Sequence, residues 1–477
     1  MKALTNNLMI FPRSALRLTI LTALAVLMTN AAFAGSATWK SSPATGDWNT
    51  ATNWTPQTVP NGPSDVATFA TSNQTAVSVS AQTEVNGITF DSGASAFTIA
   101  VPPPTSGFGL IMTGVGITNN SGITQKIVTD HGTIRFFNSA SAGSSTSYAM
   151  TNVAQMQLND ASTAGSGTFT LSTGSSIFFT LKSSAGAATF IANPSSNGGY
   201  VVFERGSTGG TSRVELFGSG TGDINDGHLA ISNNHHAPGV TIGSLEGTGS
   251  VFLGAKRLTV GSNGLSTTFS GVIADCPAID PTCNSTGAFG SLTKIGKGKL
   301  TLSHSTGNTY TGGTTVANGR LLVKNTTGSA TGSGPVQVNR GTLDGTGKIS
   351  GTVTIGTAGG SRQAVLTGTL TITNTLTFNS PAIYKATLNR TSSPPKMSKV
   401  SALGVTINSG ATFRLVDRTT GTLTAGTSFT VINNTSANPI FGTFGNLADG
   451  GTITSGGTTF KANYHGGNGD DLTLTVQ

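Results

Sequence analysis

The sequence predicts an all-β chain wound as a parallel β-helix, or β-solenoid, and three observations carry that expectation. From about Ala67 onward, stretches of three to five residues alternate apolar and polar side chains, among them "VSVS", "GITF", "TFTLS", "YVVFE", "KLTLS", "RLLV", "TVTIG" and "LTLTV". Each is bounded by Gly, Asn, Ser or Asp, the mark of short strands between tight turns. No helical apolar period runs through the chain after the first 34 residues. Composition points the same way. Of 477 residues, 65 are glycine and only 9% are charged, against roughly 7% glycine and 25% charge in an average soluble protein. Strands so short and so numerous exceed what one sandwich or barrel takes up. In a solenoid each turn of chain stacks on the last at about 4.8 Å, and glycine or asparagine takes the positive φ that corners require. About 20 to 25 residues per coil gives an expectation of roughly 18 to 22 coils.

Composition also narrows the function classes. An apolar fraction of 36% in ordered alternation argues against disorder. The scarcity of charge argues against an enzyme built on buried ion-pair networks. Residues 1–34 read as a signal peptide: Lys2, Arg13 and Arg17 precede "LTILTALAVLM", and "AAFA" ending at Ala34 sets cleavage before Gly35. Removing it leaves 23 basic and 18 acidic residues, a net charge of +5. This bias is too weak to imply a nucleic-acid partner. No later stretch reaches the roughly 20 apolar residues of a membrane-spanning helix.

Residues 35–100 read as an N-terminal cap and first coils. Trp39, Trp48 and Trp54, the only tryptophans, fall here. An uncapped solenoid end is a liability, so the expected role is a plug. The alternative is a platform on which a sugar ring stacks. Residues 101–290 read as solenoid with degraded repeats, whose register the sequence does not give between Pro102 and Gly220. Its best cluster for polysaccharide cleavage is "GDINDGH", with Asp223 and Asp226, and Glu246 a coil further on. Such chemistry needs two carboxylates about 5 to 9.5 Å apart, or a base with calcium. The competing reading is Asx turns, in which these side chains satisfy backbone donors at corners. "NNHHAPG", with His235 and His236, reads as a polar loop. Cys276 and Cys283 in "CPAIDPTC" are expected to close a small disulfide loop, because the chain is expected in an oxidising compartment and lacks neighbouring ligands for a metal.

In residues 291–356, "YTGGTTVANGRLLV" lacks the lysine and hydroxyl of a phosphate loop and precedes a strand, so Gly312, Gly313 and Gly319 read as corners. Val316, Leu321 and Val323 read as inward positions. Lys294, Lys297 and Lys299 of "KIGKGK" read as a solvated face, with contact to acidic glycans or lipid phosphates as the alternative. In residues 357–477, the coils end in "GGNGDD", read as a terminal turn. A calcium site there would need the second copy of the motif that the sequence lacks.

Leu292, Lys294, Gly296 and Gly298 before "LTL", then Tyr310 in "YTGGTTV", "GRLLV", and the paired Gly345 and Gly347 closely resemble the autotransporter-associated β-strand repeat, also called the passenger-associated transport repeat. The segments 241–275, 290–325 and 332–356 carry the resemblance, and the module at 37–69 and the coil at 464–476 are similar to those that open and close such proteins. The resemblance implies a right-handed β-helix, exported and exposed at the cell surface, with the named glycines and Tyr310 as structural repeat positions. Family members of the usual kind carry a C-terminal membrane β-barrel. No barrel precedes Gln477, so the expectation is release, retention in the periplasm, or export by other machinery. The combined expectation is a non-enzymatic scaffold or adhesin-like protein without cofactor or metal, meeting surface glycans or other envelope proteins. The alternative is a polysaccharide-binding or polysaccharide-degrading β-helix.

Overall fold

The computed structural model describes residues 35–103, 109–232, 239–277, 289–417 and 419–477. Residues 1–34, expected to be a signal peptide, and His235, His236 and Cys283 lie outside the described residues. The chain is a parallel β-helix. A 16-stranded sheet beginning at Ala76–Ser78 forms one side, and a 12-stranded sheet from Ala37–Trp39 to Val272–Ala274 forms another. The third side begins as single bridges linking Gly116, Ser141, Thr163, Ser184 and Thr208. It broadens into an eight-stranded sheet from Gly239–Ile242 to Val405–Ile407. Beyond Ala274 the 12-stranded side continues through isolated backbone bonds, such as Thr309 N–H to Ile273 O at 3.0 Å and Asn308 N–H to Ser329 O at 2.7 Å, joined by asparagine side chains. Asn308 accepts from the Ile273 amide at 2.8 Å and donates to the Ala330 carbonyl at 2.6 Å, and Asn325 accepts from the Lys348 amide at 2.8 Å. A seven-stranded sheet then takes over that side from Lys348–Ile349 and ends in antiparallel strands.

Alternation of side chains builds the core, because every second residue of a strand points inward. Stacked rungs place like on like. Tyr148 pairs with Phe169 and Phe169 with Phe190, and their rings stack at 4.5 and 5.2 Å. Further along the same sheet Leu300, Leu321 and Leu343 repeat the arrangement with aliphatic groups. Val316, Leu321 and Val323 are buried, as their inward assignment requires. The 16-stranded sheet holds fewer rungs than the expected coil number because insertions lengthen some coils. Val214 pairs with Leu245 and Phe269 with Leu302 across intervals well above 25 residues.

Aromatic groups fill both ends. Trp39, Trp48 and Trp54 are fully buried, with the Trp54 ring 5.0 Å from Trp39 and 5.1 Å from Trp48, and Phe69 beneath all three at 5.6 to 5.9 Å. Each indole N–H donates to a carbonyl, of Gln74, Pro60 and Trp48 respectively. At the other end Phe378, Tyr384, Phe413 and Phe444 form a linked cluster, with ring contacts of 5.3 to 6.2 Å and both Tyr384 and Phe444 touching the other three.

The eight repeat positions serve different ends. Gly296, Gly313, Gly319 and Gly345 have φ of 68°, 89°, 72° and 141°, the region where glycine alone is unstrained. Gly298, Gly312 and Gly347 do not. They are needed for room, since a Cβ would come within 2.1 to 2.2 Å of Leu265 O, Phe289 O and Asn325 Oδ1. Tyr310 is buried with its hydroxyl 2.5 Å from Thr314 Oγ1.

Candidate functional site

The structure does not assemble Asp223, Asp226 and Glu246 into one site. Asp226 is 2% exposed. Its Oδ1 accepts from the Ser219 amide at 2.7 Å and hydroxyl at 3.0 Å, and its Oδ2 accepts from Ser250 Oγ at 2.7 Å. This carboxylate ties the 219–226 loop to the sheet. Asp223 accepts from the amide and side chain of Asn225, an Asx turn. Glu246 accepts from Arg213 Nε at 2.6 Å, and Glu215 on the adjoining rung lies 3.0 Å from the same nitrogen. Surface ion clusters of this kind contribute about 0–1 kcal/mol. No partner is shared among the three candidate acids.

His228 sits one rung from Ser250 and is buried between aromatic neighbours. Its ring stacks on Tyr200 at 5.0 Å with 4° between planes and meets Phe252 at 5.4 Å. Nδ1 lies 3.0 Å from the Asp226 carbonyl. Burial holds its pKa below the ordinary imidazole value. Asp226, Ser250 and His228 are the nearest approach to a catalytic grouping, yet all three are buried and Asp226 bonds the serine directly, leaving no imidazole to activate it.

The tryptophans, as alternative sugar platforms, are corrected: each indole face is enclosed, so none is presented to a glycan. Lys294 is a second correction. It is 1% exposed, because it lies two residues after inward Leu292 on the strand Ser291–Lys294 and shares that strand's inward face. Its ammonium donates to the Ile295 and Gly296 carbonyls. Burial pushes its pKa down to about 8. Lys297 is exposed and Lys299 half-buried, leaving two of the three at the surface.

Cys276 borders a cleft of about 500 Å³ between the 219–222 loop and the 304–307 turn, floored by Val272 and Ala274. Hydroxyl groups line its walls, and no carboxylate does among the described residues. Asp275 beside it accepts from the Gly290 amide at 3.0 Å and Thr311 Oγ1 at 2.7 Å. Burial raises its pKa. Among the described residues no three His, Cys, Asp or Glu side chains converge as metal ligands.

Arg390 and Asp417 escape sequence reasoning. Their side chains are 5% and 2% exposed. Arg390 Nε bonds Asp417 at 2.6 Å, and the guanidinium also donates to Gly421 O at 2.8 Å and Thr458 Oγ1 at 3.0 Å. The pair fastens the terminal hairpin to the solenoid. Nothing in the spacing signals it, since the partners meet only through the fold.

These features define a capped β-helix whose candidate polar groups are largely consumed in holding its own loops and corners. The family model of the passenger-associated-transport-repeat matches residues 292–323, the coil that contains Lys294, Tyr310 and Gly319. The strand-rich solenoid is consistent with a passenger-like repeat protein. No curated protein matches the chain, and no helix among the described residues is long and apolar enough to cross a membrane.

Proposed function

We propose that this protein is an exported, non-enzymatic β-helical scaffold at the cell surface or in the extracellular matrix, whose lateral faces contact surface glycans or other envelope proteins. The observation supporting it is that Asp223, Asp226 and Glu246 each serve a separate local network. A carbohydrate-cleaving enzyme needs two carboxylates converging on one bond. The match of residues 292–323 to a repeat associated with passenger transport supports export. In this reading residues 1–34 are removed as a leader, and Cys276 pairs with Cys283 after export to close the loop beside the cleft.

The test is a binding and turnover screen of residues 35–477 on acidic and neutral polysaccharides, reading retention and the appearance of new reducing or unsaturated ends. Retention without new ends is the expected outcome for a glycan-contacting scaffold. New ends that disappear in Asp226→Asn or Asp223→Asn would replace the proposal with a polysaccharide-degrading enzyme. Neither signal would direct the search to a protein partner.

A further inference from the structure

One inward column of the eight-stranded sheet runs Val260, Lys294, Val316, Val338 and Ile355, rung upon rung. A lysine in such a column is costly. A buried ammonium loses hydration that carbonyl contacts replace only in part, whereas valine costs nothing there. No carboxylate pairs with Lys294 among the described residues, and the charged side chains on the adjoining strands and turn are themselves cationic: Arg257, Lys297, Lys299 and Arg320. Its pKa reflects this isolation, with burial as its only cause.

The ammonium sits in a corner lined by carbonyls and glycines. Nζ reaches the carbonyls of Ile295 and, at 3.2 Å, Gly296. The coil below and the coil above each present a glycine at this corner. A Cβ on Gly261 would lie 3.2 Å from Nζ, and one on Gly319 would lie 3.0 Å away. Strands here are only three or four residues long. A slip of two residues along such a strand keeps every inward side chain inward, so the apolar pattern alone does not forbid it. After such a slip the ammonium would face the strand above or below rather than its glycine corner.

We propose that Lys294 is a register lock: it is retained in the apolar column because its ammonium fits only the corner formed by Gly261, Gly296 and Gly319, which fixes how these three coils align. Single buried polar groups set register in the same way in other repetitive assemblies, at a cost in stability.

The experiment compares wild type with Lys294→Met after refolding from denaturant, using hydrogen exchange over residues 291–323 and thermal melts from pH 7 to 10.5. The expected Met variant melts no lower than wild type at pH 7 and loses the wild-type rise in stability above pH 8. It also shows two exchange populations over 314–323 and a several-fold lower yield of native protein. Refolding to a single population at wild-type yield would overturn the lock. A Met variant that is less stable, or does not fold, would overturn it equally, by making the ammonium an ordinary stabilising contact.

Discussion

Coils 125–216 and coils 291–356 share one architecture but turn their corners by different chemistry. In the first, corners with positive φ include Asn138, Asp160, Leu181 and Arg205, one per coil, and on another edge His131, Val153 and Thr173. In the second, every described positive-φ residue is glycine. The reason is proximity. A Cβ on Gly296 would stand 2.0 Å from Gly261 O, and one on Gly319 2.3 Å from Gly296 O. Where the stacked corner leaves a side chain a way out to solvent, as for Val153 at 56% exposure, a non-glycine residue can pay the strain. The cores differ in parallel, aromatic stacks in one region and aliphatic columns in the other. A β-helix therefore constrains side-chain direction and corner space far more tightly than residue identity.

The largest test of this contrast removes one core group from each region. Phe169→Ala breaks a stack of three rings and should cost about 3–5 kcal/mol, while Leu321→Ala should cost about 2–5 kcal/mol. Denaturant titration of both variants decides it: if the leucine is the costlier loss, the aromatic ladder is not the stronger of the two cores. Corner chemistry gives a smaller effect with opposite signs. Gly319→Ala adds a Cβ where backbone stands and should destabilise by about 1–3 kcal/mol. Val153→Gly relieves a β-branched residue at φ 56° and should raise the melting temperature slightly. A loss of stability at Val153→Gly would show that this corner is held by packing rather than tolerated.

The pH dependence sets Lys294 of the second region against His228, which follows the first. Lys294 titrates at about 8 in the folded chain against 10.5 when unfolded. The unfolded state therefore binds more protons across that window, and stability rises with pH through it, by on the order of 1–2 kcal/mol. His228 is depressed below 6.5, so its contribution is present above that value and lost as pH falls through its folded pKa. Alkaline gain should vanish in Lys294→Met and acid loss in His228→Phe. If either profile survives its substitution, another group carries that window.

Most of the fold was legible because alternation and turn residues are local properties. Register between 109 and 216 was not, since corners filled by Leu181, Arg205 and Asp160 carry no common letter for the eye to align. Lys294 was legible in one respect and misleading in another: two residues beyond Leu292, its position said inward while its charge said solvent. Asp223 and Asp226 lie three positions apart in sequence, and the structure gives each a different set of partners. The Arg390–Asp417 pair depends on two coils meeting, which no short-range pattern encodes.

The aromatic plugs at the two ends bear on size. Among the described residues, Trp39, Trp48 and Trp54 close the first coil and antiparallel strands cover the last. The longest sheet stacks 15 parallel rungs among the described residues, from Ala76–Ser78 to Thr412–Asp417, a span of roughly 67 Å at about 4.8 Å per step. The molecule is a ruler. Duplicating one coil would lengthen it by a single graduation while leaving both end pieces unchanged.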